Sequence, residues 1–343
     1  MVRAGMSKLN NMKNIAIVGA SGAVGREMML CLEQRGFPLG RLRLLASARS
    51  KGREFDFRGE KIVVEELTED SFAGVDIALF SAGGGISREF APHAVRAGAL
   101  VIDNSSAFRG DPDVPLVVPE INAEALQDPA RGIIANPNCT TIVTLMALAP
   151  LHRAFGLRSL VAASYQAVSG SGARGIAELK EQTKATVTGE DLRTDLYPVP
   201  IVSNVIPLIG PVEDNGYTQE EMKMEREGSK ILGLPGLRAS VTCVRVPVYR
   251  SHSVAVSASF ESEPDVETAR KVLADAPGVA LKDDPANAIF PTPLDTTNGD
   301  DCLVGRLRRD HVLDNGLAFW VVGDQVRKGA ALNAVQIAEH LLK

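Results

Sequence analysis

The glycine-rich segment IVGASGAVGRE, near the start of the chain, constrains the fold more than any other feature. It places Gly19, Gly22 and Gly25 between a short apolar run and a helical pattern that extends to about Gln34. Glycines at a strand-to-helix turn permit a tight bend, and the N-terminus of the helix that follows can face a phosphate. The spacing is G-x-x-G-x-x-G, looser than the usual G-x-G-x-x-G, so a turn that binds no ligand is the alternative.

The pattern that follows predicts a parallel sheet in the first third of the chain. Apolar runs alternate there with helical patterns, and the runs are NIAIVG, LRLLAS, VDIALFSA, LVIDNS, LVVPE and GIIANP. Short strands of continuous Val, Ile and Leu are typical of a sheet covered on both faces. After Cys139 a long helix extends to about Phe155, and strands and helices then mix less regularly. This part favours an α+β domain with a mixed sheet, so the predicted fold class is α/β with a second, α+β domain.

Length, charge and cysteine spacing exclude several classes of protein. A chain of 343 residues exceeds what one hydrophobic core usually serves, so two domains are expected. The net charge of −5 argues against nucleic acid or an anionic membrane as the main partner. No apolar run reaches the roughly 18 residues of a membrane span, and residues 1–13 read as an N-terminal extension without the apolar core of a signal peptide. A cytoplasmic protein is expected. The four cysteines have no metal-ligand spacing, so neither a metal site nor a disulfide framework is predicted.

The end of the second predicted strand indicates which dinucleotide is bound. An NAD-binding fold normally carries an acidic residue there for the ribose hydroxyl. The segment LASARSKG has Ser47, Arg49, Ser50 and Lys51 instead. Hydroxyls and cations suit a ribose 2′-phosphate, so the predicted cofactor is NADP. Solvated charges of a surface loop are the alternative for Arg49 and Lys51.

Cys139 begins the long helix, in the run NPNCTT. A thiolate at a helix N-terminus is stabilised by the helix dipole and by unpaired N–H groups, which makes Cys139 a candidate nucleophile. The alternative is a small, inert side chain that fills a gap in the core.

Three polar residues elsewhere in the chain favour the catalytic interpretation of Cys139. Gln166 ends an apolar strand beside a glycine-rich turn, and Arg245 lies in the apolar run VTCVRVPV. A buried guanidinium requires an anion, either a protein carboxylate or a substrate carboxylate. His252, in a Ser-His-Ser setting, is a suitable acid or base partner for a cysteine. A satisfied strand-end amide and a structural histidine are the alternatives for Gln166 and His252.

The charged helix near Thr218 has two interpretations. Thr218 and Glu221 form a capping box, which explains Glu221 without a further function. Glu220 and Lys223 lie three residues apart and form a surface ion pair in the simplest interpretation. In the other interpretation, Lys223 and the Arg109 of DNSSAFR are cations available to an inorganic phosphate.

Ten segments resemble, in order, those of the bacterial aspartate-β-semialdehyde dehydrogenase family, and they cover the chain from about residue 14 onward. They are GASGAVG, LASARSKG, DIALFSAGG, DNSSAFR, VPLVVPEIN, NPNCTT, YQAVSGSG, EEMKM, TCVRVPVYRSHS and KGAALNAVQIAE. The resemblance implies reversible reduction of L-aspartyl 4-phosphate to L-aspartate 4-semialdehyde and inorganic phosphate. It implies NADPH as reductant, a cysteine thioester, a place in lysine, diaminopimelate, methionine and threonine biosynthesis, and a homodimer formed by the second domain.

The resemblance also implies domain limits and site residues. A Rossmann-like NADP-binding domain with a parallel-rich sheet is expected at residues 14–138 and 329–343, and an α+β catalytic and dimerisation domain at residues 139–328. Carried over by position, Cys139 matches the nucleophile, His252 the acid/base catalyst, Arg245 the contact to the α-carboxylate and Glu220 the contact to the amino group. The remaining matches are Gln166 for catalysis and substrate; Arg109, Lys223 and Asn138 for phosphate; and Gly19, Ser21, Gly22, Ala23, Val24, Gly25, Ser47, Arg49, Ser50, Ser169, Gly170 and Gln325 for the cofactor. Gln325 departs from the family, which often has Asn there, and the stretch from Thr183 to Tyr197 is shorter than in some relatives.

Three other functions fit the same architecture. N-acetyl-γ-glutamyl-phosphate reductase and glyceraldehyde-3-phosphate dehydrogenase share the chemistry, but their nucleophiles typically lie in Gly-Cys-Tyr and Ser-Cys-Thr-Thr-Asn, against Asn-Cys-Thr-Thr here. A non-catalytic NADP(H)-binding regulator is the third alternative. Such a protein would be expected to lose Cys139, His252 or Arg245, and all three are present.

Overall fold

A computed structural model describes residues 12–127 and 129–342. The described residues fall into two units, residues 12–137 with 330–342 and residues 138–329. Of the predicted N-terminal extension, residues 1–11 lie outside the described part of the chain, and Lys13 is already the first residue of a strand. No helix among the described residues is long and apolar enough to cross a membrane.

The first unit is built on a seven-stranded sheet in which all neighbours run parallel except one hairpin at the edge, so the predicted parallel-rich sheet is confirmed. Its strands are β1 (Lys13–Val18), β2 (Leu39–Ala46), β3 (Glu54–Phe57), β4 (Glu60–Glu66), β5 (Ile77–Phe80), β6 (Leu100–Asp103) and β7 (Ile133–Ala135). Its helices are α1 (Ala23–Gln34), α2 (Gly84–Arg96), α3 (Pro119–Asn122) and, after the second unit, α9 (Leu332–His340). The spatial order is β3-β4-β2-β1-β5-β6-β7. The order reverses at β1, and ligands of such sheets bind where the order reverses.

The hairpin of β3 and β4 does not follow from the sequence pattern. Its strands, EFDF and EKIVVEE, carry charged residues and lack the continuous apolar runs of the other strands. The two-residue turn Arg58–Gly59 joins them, with φ angles of 52° and 81°. Two left-handed residues are typical of a type I′ turn, which usually carries Asn-Gly or Asp-Gly. Because Arg58 replaces the usual Asn or Asp in the first position, the sequence does not indicate this turn.

The run LVVPE, predicted as a strand, is not one. Leu116 makes a single bridge to Ala135, and Pro119 starts the one-turn helix α3. Proline has no N–H to give to a sheet but fits the first turn of a helix, which explains the difference.

Helices α1 and α9 pack against each other in the core of the first unit. Met28 and Leu32 of α1 share one apolar cluster with Val335 and Ile337 of α9 and with Ile15 of β1. All five side chains are fully buried. The segment that follows the second unit therefore completes the core of the first.

The second unit is built on a six-stranded mixed sheet, as predicted. Its strands are β8 (Leu157–Gln166), β9 (Arg238–Arg245), β10 (His252–Phe260), β11 (Val279–Leu281), β12 (Cys302–Arg309) and β13 (Gly316–Gly323). Its helices are α4 (Cys139–Phe155), α5 (Gly172–Thr188), α6 (Gln219–Leu232), α7 (Val266–Ala274) and α8 (Pro293–Thr296). The order is β11-β12-β13-β10-β8-β9, with parallel pairs at both edges and antiparallel pairs between them. Helix α4, apolar around most of its circumference, packs against the middle of this sheet.

Candidate active site

Cys139 is the first residue of α4, and its side chain is half-buried. Asn138 caps the helix: its side-chain oxygen accepts hydrogen bonds from the N–H groups of Thr140 at 2.9 Å and Thr141 at 3.2 Å. The N–H of Asn138 donates in turn to Glu227 Oε2 at 2.6 Å. Cys139 thus lies at the electropositive end of a helix whose first turn is held by the hydrogen bonds of Asn138. Such a position stabilises a thiolate.

Gly329 leaves room for Cys139. A Cβ at Gly329 would lie 2.9 Å from the Cβ of Cys139, too close for two carbon atoms. Sequence reasoning missed this residue, because KGAALNAVQIAE was used only as one of the segments that resemble the family. The available signal was a glycine inside a segment otherwise rich in helix-forming residues.

His252 begins β10 and is fully buried. Its Nδ1 accepts a hydrogen bond from the backbone N–H of Ala167 at 3.1 Å, so the neutral ring carries its proton on Nε2. Nε2 is buried and has no hydrogen-bond partner among the described residues. Burial, and then the charge of Arg245, lower the pKa of His252 to about 3. His252 is therefore a neutral hydrogen-bond donor, and its Nε2–H can donate to a bound ligand.

Arg245 ends β9 and is 5% exposed. Its Nη1 donates to the carbonyl of Ala167 at 2.7 Å, whereas its Nε has no hydrogen-bond partner in the described part of the chain. None of the described carboxylates forms an ion pair with it. Of the two anions that the sequence left open, the protein carboxylate is thus not present in this structure, and a buried guanidinium that lacks one is suited to an external anion.

Glu220 gathers three of the predicted residues. Its Oε1 accepts from Asn138 Nδ2 at 3.1 Å and from Gln166 Nε2 at 3.3 Å, and its Oε2 accepts from Lys223 Nζ at 2.7 Å. Burial alone would raise the pKa of the Glu220 carboxyl, but the charge of Lys223 and the three hydrogen bonds hold it below its usual value. With side-chain exposures of 11% for Glu220 and 27% for Lys223, the pair is not the surface ion pair of the simplest interpretation.

Cys243, another cysteine of the second unit, has the properties of an inert thiol. Cys243 lies in β9 and is 1% exposed. Burial raises the pKa of the Cys243 thiol to about 12. A thiol in that state is a poor nucleophile, so the inert interpretation fits Cys243, whose deep burial the half-buried Cys139 does not share.

Ser169, Gly170 and Gln325, predicted as cofactor contacts, lie close to His252 and Arg245 in the second unit. A Cβ at Gly170 would lie 2.8 Å from Arg245 Nη1 and 3.3 Å from His252 Nε2. Gln325 Nε2 donates to the Ser169 hydroxyl. The second unit therefore brings together nine of the predicted residues, which are Asn138, Gln166, Ser169, Gly170, Glu220, Lys223, Arg245, His252 and Gln325.

The glycine-rich loop of the first unit has the expected position between β1 and α1. Gly19 has a φ of 86°, and a Cβ on it would lie 2.6 Å from the carbonyl oxygen of Ser81. A Cβ at Gly25 would lie 2.4 Å from the carbonyl oxygen of Gly19. Gly22 directly precedes α1, with Ala23 and Val24 as its first two residues. Backbone crowding alone requires glycine at two of these positions, and the N-terminus of α1 lies at the end of this loop.

The loop after β2 separates two basic residues that the sequence had grouped. Lys51 Nζ pairs with Glu66 at 3.2 Å, whereas no described residue pairs with the Arg49 guanidinium, which is exposed like Ser47. The Ser50 hydroxyl lies 3.1 Å from that of Ser21 in the glycine-rich loop. Of the two cations, Arg49 is therefore the one available to an external anion.

Arg109, also in the first unit, is fixed by backbone oxygens. Its Nε donates to the carbonyl of Asn136 at 2.9 Å and its Nη2 to the carbonyl of Asn104 at 2.7 Å. Both polar atoms of the Asn104 side chain are buried without a hydrogen-bond partner among the described residues. Sequence reasoning missed Asn104, although its place directly after β6, at the carboxyl edge of a parallel sheet, was a usable signal.

Comparisons with known proteins agree with this architecture. Residues 14–128 match the family described as "Semialdehyde dehydrogenase, NAD binding domain", and residues 148–328 match "Semialdehyde dehydrogenase, dimerisation domain". A relative from Aquifex aeolicus (strain VF5), named aspartate-semialdehyde dehydrogenase, is 49% identical over 332 residues, which are 96% of this chain and 98% of the relative.

Two solved structures are also similar. Aspartate semialdehyde dehydrogenase II from Vibrio cholerae, complexed with ASA, has a TM-score of 0.94 and 46% identity, covering 96% of this chain and 98% of that one. Aspartate semialdehyde dehydrogenase with NADP from Candida albicans has a TM-score of 0.76 and 26% identity, covering 96% of this chain and 98% of that one. The first unit is accordingly a pyridine-nucleotide-binding domain and the second a dimerisation domain. The chain belongs to the aspartate-semialdehyde dehydrogenase family.

Proposed function

We propose that the protein catalyses the reversible, NADPH-dependent reduction of L-aspartyl 4-phosphate to L-aspartate 4-semialdehyde and inorganic phosphate, in the biosynthesis of lysine, methionine and threonine. One observation carries the proposal. Around the turn at Ala167, Arg245 presents an unpaired guanidinium N–H and His252 an unpaired imidazole N–H, in the unit that carries the helix-terminal Cys139. Those groups suit an anionic substrate whose carbonyl oxygen becomes negative during the reaction.

Cys139 is the proposed nucleophile. In the biosynthetic direction its thiolate attacks the acyl carbon of aspartyl phosphate, the bond from that carbon to the phosphate oxygen breaks, and a thioester remains. When bound, NADPH supplies the hydride that reduces the thioester carbonyl. Collapse of the resulting thiohemiacetal breaks the carbon–sulfur bond, releases the aldehyde and returns the thiolate.

His252 is proposed to act through its Nε2 proton. Because Nδ1 already accepts from Ala167, the neutral ring can donate to the carbonyl oxygen but cannot take a second proton at Nε2. Its role at the reduction step is therefore to stabilise the oxygen, as it gains negative charge, through a hydrogen bond from Nε2, while the ring keeps its only proton. On collapse the carbonyl re-forms and no longer carries that negative charge.

The two ends of the substrate are assigned by charge. Arg245, which pairs with none of the described carboxylates, is proposed to bind the α-carboxylate, and the ionised Glu220 the amino group. Gln166, already hydrogen-bonded to Glu220, orients the same end. Lys223 and Asn138, which also bind the Glu220 carboxylate, are the proposed phosphate contacts, and the family resemblance gives Arg109 the same role.

The proposed cofactor is NADP. The glycine-rich loop from Gly19 to Gly25 fits a pyrophosphate, and the exposed Ser47 and Arg49, with Ser50 beside that loop, fit a 2′-phosphate. Ser169 and Gly170 are proposed for the nicotinamide end, to which the family resemblance alone also assigns Gln325. The domain assignment proposed with it is residues 14–138 and 329–343 for the cofactor and 139–328 for catalysis.

The protein is further proposed to be a homodimer that acts in the cytoplasm on small molecules, with no nucleic-acid partner. One face of the sheet in the second unit supports the dimer. Val161 and Tyr165 of β8 are 52% and 39% exposed there, and Tyr165 packs on Trp320 of β13 at a ring distance of 5.2 Å. An exposed apolar face of this kind is typical of a surface that another protein covers.

The reaction is tested in the reverse direction by NADPH formation from aspartate semialdehyde, phosphate and NADP+. Turnover is expected with this aldehyde, and not with N-acetylglutamate semialdehyde or glyceraldehyde 3-phosphate. Cys139→Ala should abolish it, while Cys31→Ala, the loss of a buried cysteine in the first unit, should not. Absence of turnover, or activity retained without Cys139, would refute the proposal.

Cofactor preference is tested by a matched pair of substitutions. Arg49→Ala should raise the KM for NADP+ about tenfold and leave that for NAD+ unchanged, because the lost interaction is with the 2′-phosphate. Lys51→Ala is the control, because its ammonium is already paired with Glu66. Equal use of NAD+ and NADP+ by the unmodified protein would show that the cofactor is not NADP alone.

A further inference from the structure

Two short segments meet next to His252. Strands β10 and β13 pair antiparallel, with His252 opposite Gly323. The residues that follow β13, Asp324 and Gln325, therefore lie beside those that precede β10. Because every side chain in this region is close to the proposed acid, contacts between the two segments can act on its orientation.

The carboxamide of Gln325 bridges two parts of the site. Gln325 is 2% exposed; its Oε1 accepts from the N–H of Ser251 at 2.7 Å, and its Nε2 donates to the hydroxyl of Ser169. Ser251 is fully buried and has a φ of 74°, a left-handed conformation that a residue with a Cβ adopts only at a cost. Gln325 thus holds a strained residue that directly precedes His252.

A buried carboxylate fixes the backbone from which Gln325 projects. Asp324 is fully buried, and its Oδ1 accepts from the N–H groups of Val326 and Arg327, both at 3.0 Å. Its Oδ2 accepts from Arg250 Nε at 2.6 Å. Asp324 therefore ties the residue before Ser251 to the segment after β13, and Gln325 has little freedom to change partners.

The imidazole of His252 is held between the same parts. Its Nδ1 accepts from the N–H of Ala167, and a Cβ at Gly170 would lie 3.2 Å from its Cε1. Ser169, the partner of Gln325, lies between Ala167 and Gly170 in the chain. Gln325 thus restrains both the residue before His252 and the turn that covers its ring.

We propose that Gln325 is a positioning residue for His252: by bridging Ser251 and Ser169 it keeps the Nε2 donor in one orientation. The inference rests on the proposed function, in which His252 donates to the reacting oxygen. It differs from the cofactor contact that the family resemblance implies for Gln325. A contact to the nucleotide acts on binding, whereas a positioning residue acts on the step in which His252 takes part.

The test is a double-mutant cycle in the full-length protein with Gln325→Leu, His252→Asn and the double variant. Gln325→Leu is expected to lower kcat at saturating NADP+ roughly 10- to 100-fold, the effect of a small misplacement of a catalytic group, with the KM for NADP+ changed less than about twofold. In the His252→Asn background the same substitution should lower kcat by less than about twofold, because the group that it positions is gone.

Gln182→Leu is the matched control. Gln182 is also 2% exposed, and its Oε1 accepts from two backbone N–H groups, those of Ile201 at 2.9 Å and Val202 at 3.1 Å. Its loss leaves a comparable set of buried groups unsatisfied, so it should lower thermal stability about as much as Gln325→Leu does. Its kcat, per folded protein, should remain within about twofold of the unmodified value because Gln182 contacts none of the site residues.

Three results would overturn the inference and leave the proposed function intact. The first is a raised KM for NADP+ with unchanged kcat in Gln325→Leu, which identifies a nucleotide contact. The second is a multiplicative loss in the double variant, and the third is an equal loss in Gln182→Leu; both indicate a general structural effect. Full kcat in His252→Asn, by contrast, would remove the proposed role of His252 together with this inference.

Discussion

At the scale of single residues, burial and hydrogen bonds decide which side chains of the second unit carry charge. Burial lowers the pKa of His252 to about 3 and leaves it neutral, whereas the pKa of Glu220 lies below its usual value despite burial, because Lys223 and two amides bind its carboxylate. The unit thus holds a neutral donor and an ionised acceptor near the same turn. That combination is what an amino-acid substrate with a reacting carbonyl requires.

The neutral state of His252 predicts a pH dependence of stability. Between pH 3 and the ordinary value of about 6.5, the unfolded chain binds a proton that the folded chain does not. The contribution of His252 is therefore fully present above about pH 6.5 and is lost as pH falls, with a slope of up to about 1.4 kcal/mol per pH unit.

Urea unfolding followed by tryptophan fluorescence measures this slope, because the single tryptophan, Trp320, lies in the same unit as His252. From about pH 7 to about pH 5, the free energy of unfolding should fall less steeply in His252→Asn than in the unmodified protein. Identical slopes in the two proteins would mean that His252 is protonated in the folded state.

At the scale of elements, the start of α4 joins helix stability to thiol reactivity. Asn138→Ala removes the side-chain acceptor of two N–H groups and should cost about 1 kcal/mol of stability. It should also slow alkylation of Cys139 at neutral pH, because the first turn that stabilises the thiolate loses its restraint.

Asp265→Ala is the control for that prediction. Asp265 caps α7 by accepting from the N–H of Thr268 at 2.8 Å, and α7 carries none of the proposed site residues. A similar loss of stability is expected, with the alkylation rate of Cys139 unchanged. The link between capping and reactivity fails if the two variants alkylate equally fast.

Elements whose sequence pattern is local could be predicted, and those that depend on distant partners could not. The buried strands β1, β5 and β6 and the helix α4 were predicted from continuous apolar runs in the sequence. The predicted capping box of Thr218 and Glu221 is confirmed. The strand expected at LVVPE is interrupted by Pro119, and the hairpin at Arg58 has unusual turn residues. Predictions from local residue preferences fail at such positions, because tertiary contacts override those preferences.

The same division applies to the site. Cys139 was recognisable at a predicted helix N-terminus, Arg245 as a charge in an apolar run, and His252 by its polar Ser-His-Ser setting. The bond of Asp324 to Arg250 joins residues 74 positions apart and exists only because β10 pairs with β13. No periodicity within either segment encodes that contact, so residues that support the site became visible only in three dimensions.

At the scale of the whole molecule, the exposed apolar face of β8 is the proposed dimer interface. A charged side chain introduced on this face should prevent two copies from associating. In a two-fold symmetric dimer each substitution occurs twice, so Val161→Glu places two buried charges in one interface. The variant is expected to have the 36.5 kDa mass of a single chain in light scattering, and the unmodified protein is expected to have twice that mass.

Val312→Glu is the control for that prediction, because Val312 is 89% exposed but lies in a loop and not on the sheet face. It should remain a dimer with full activity. An unmodified protein that is a monomer at micromolar concentration would refute the dimer, and a dimer that tolerates Val161→Glu would have its contact elsewhere.

The discontinuity of the first unit sets an order of events during synthesis. About 190 residues of the second unit leave the ribosome between β7 and α9, which takes roughly 10 to 40 s at usual elongation rates. During that interval Met28 and Leu32 lack Val335 and Ile337, which belong to the same apolar cluster in the folded protein. The nucleotide-binding unit is thus begun first and completed last, because its apolar core lacks these two partners until α9 has been made.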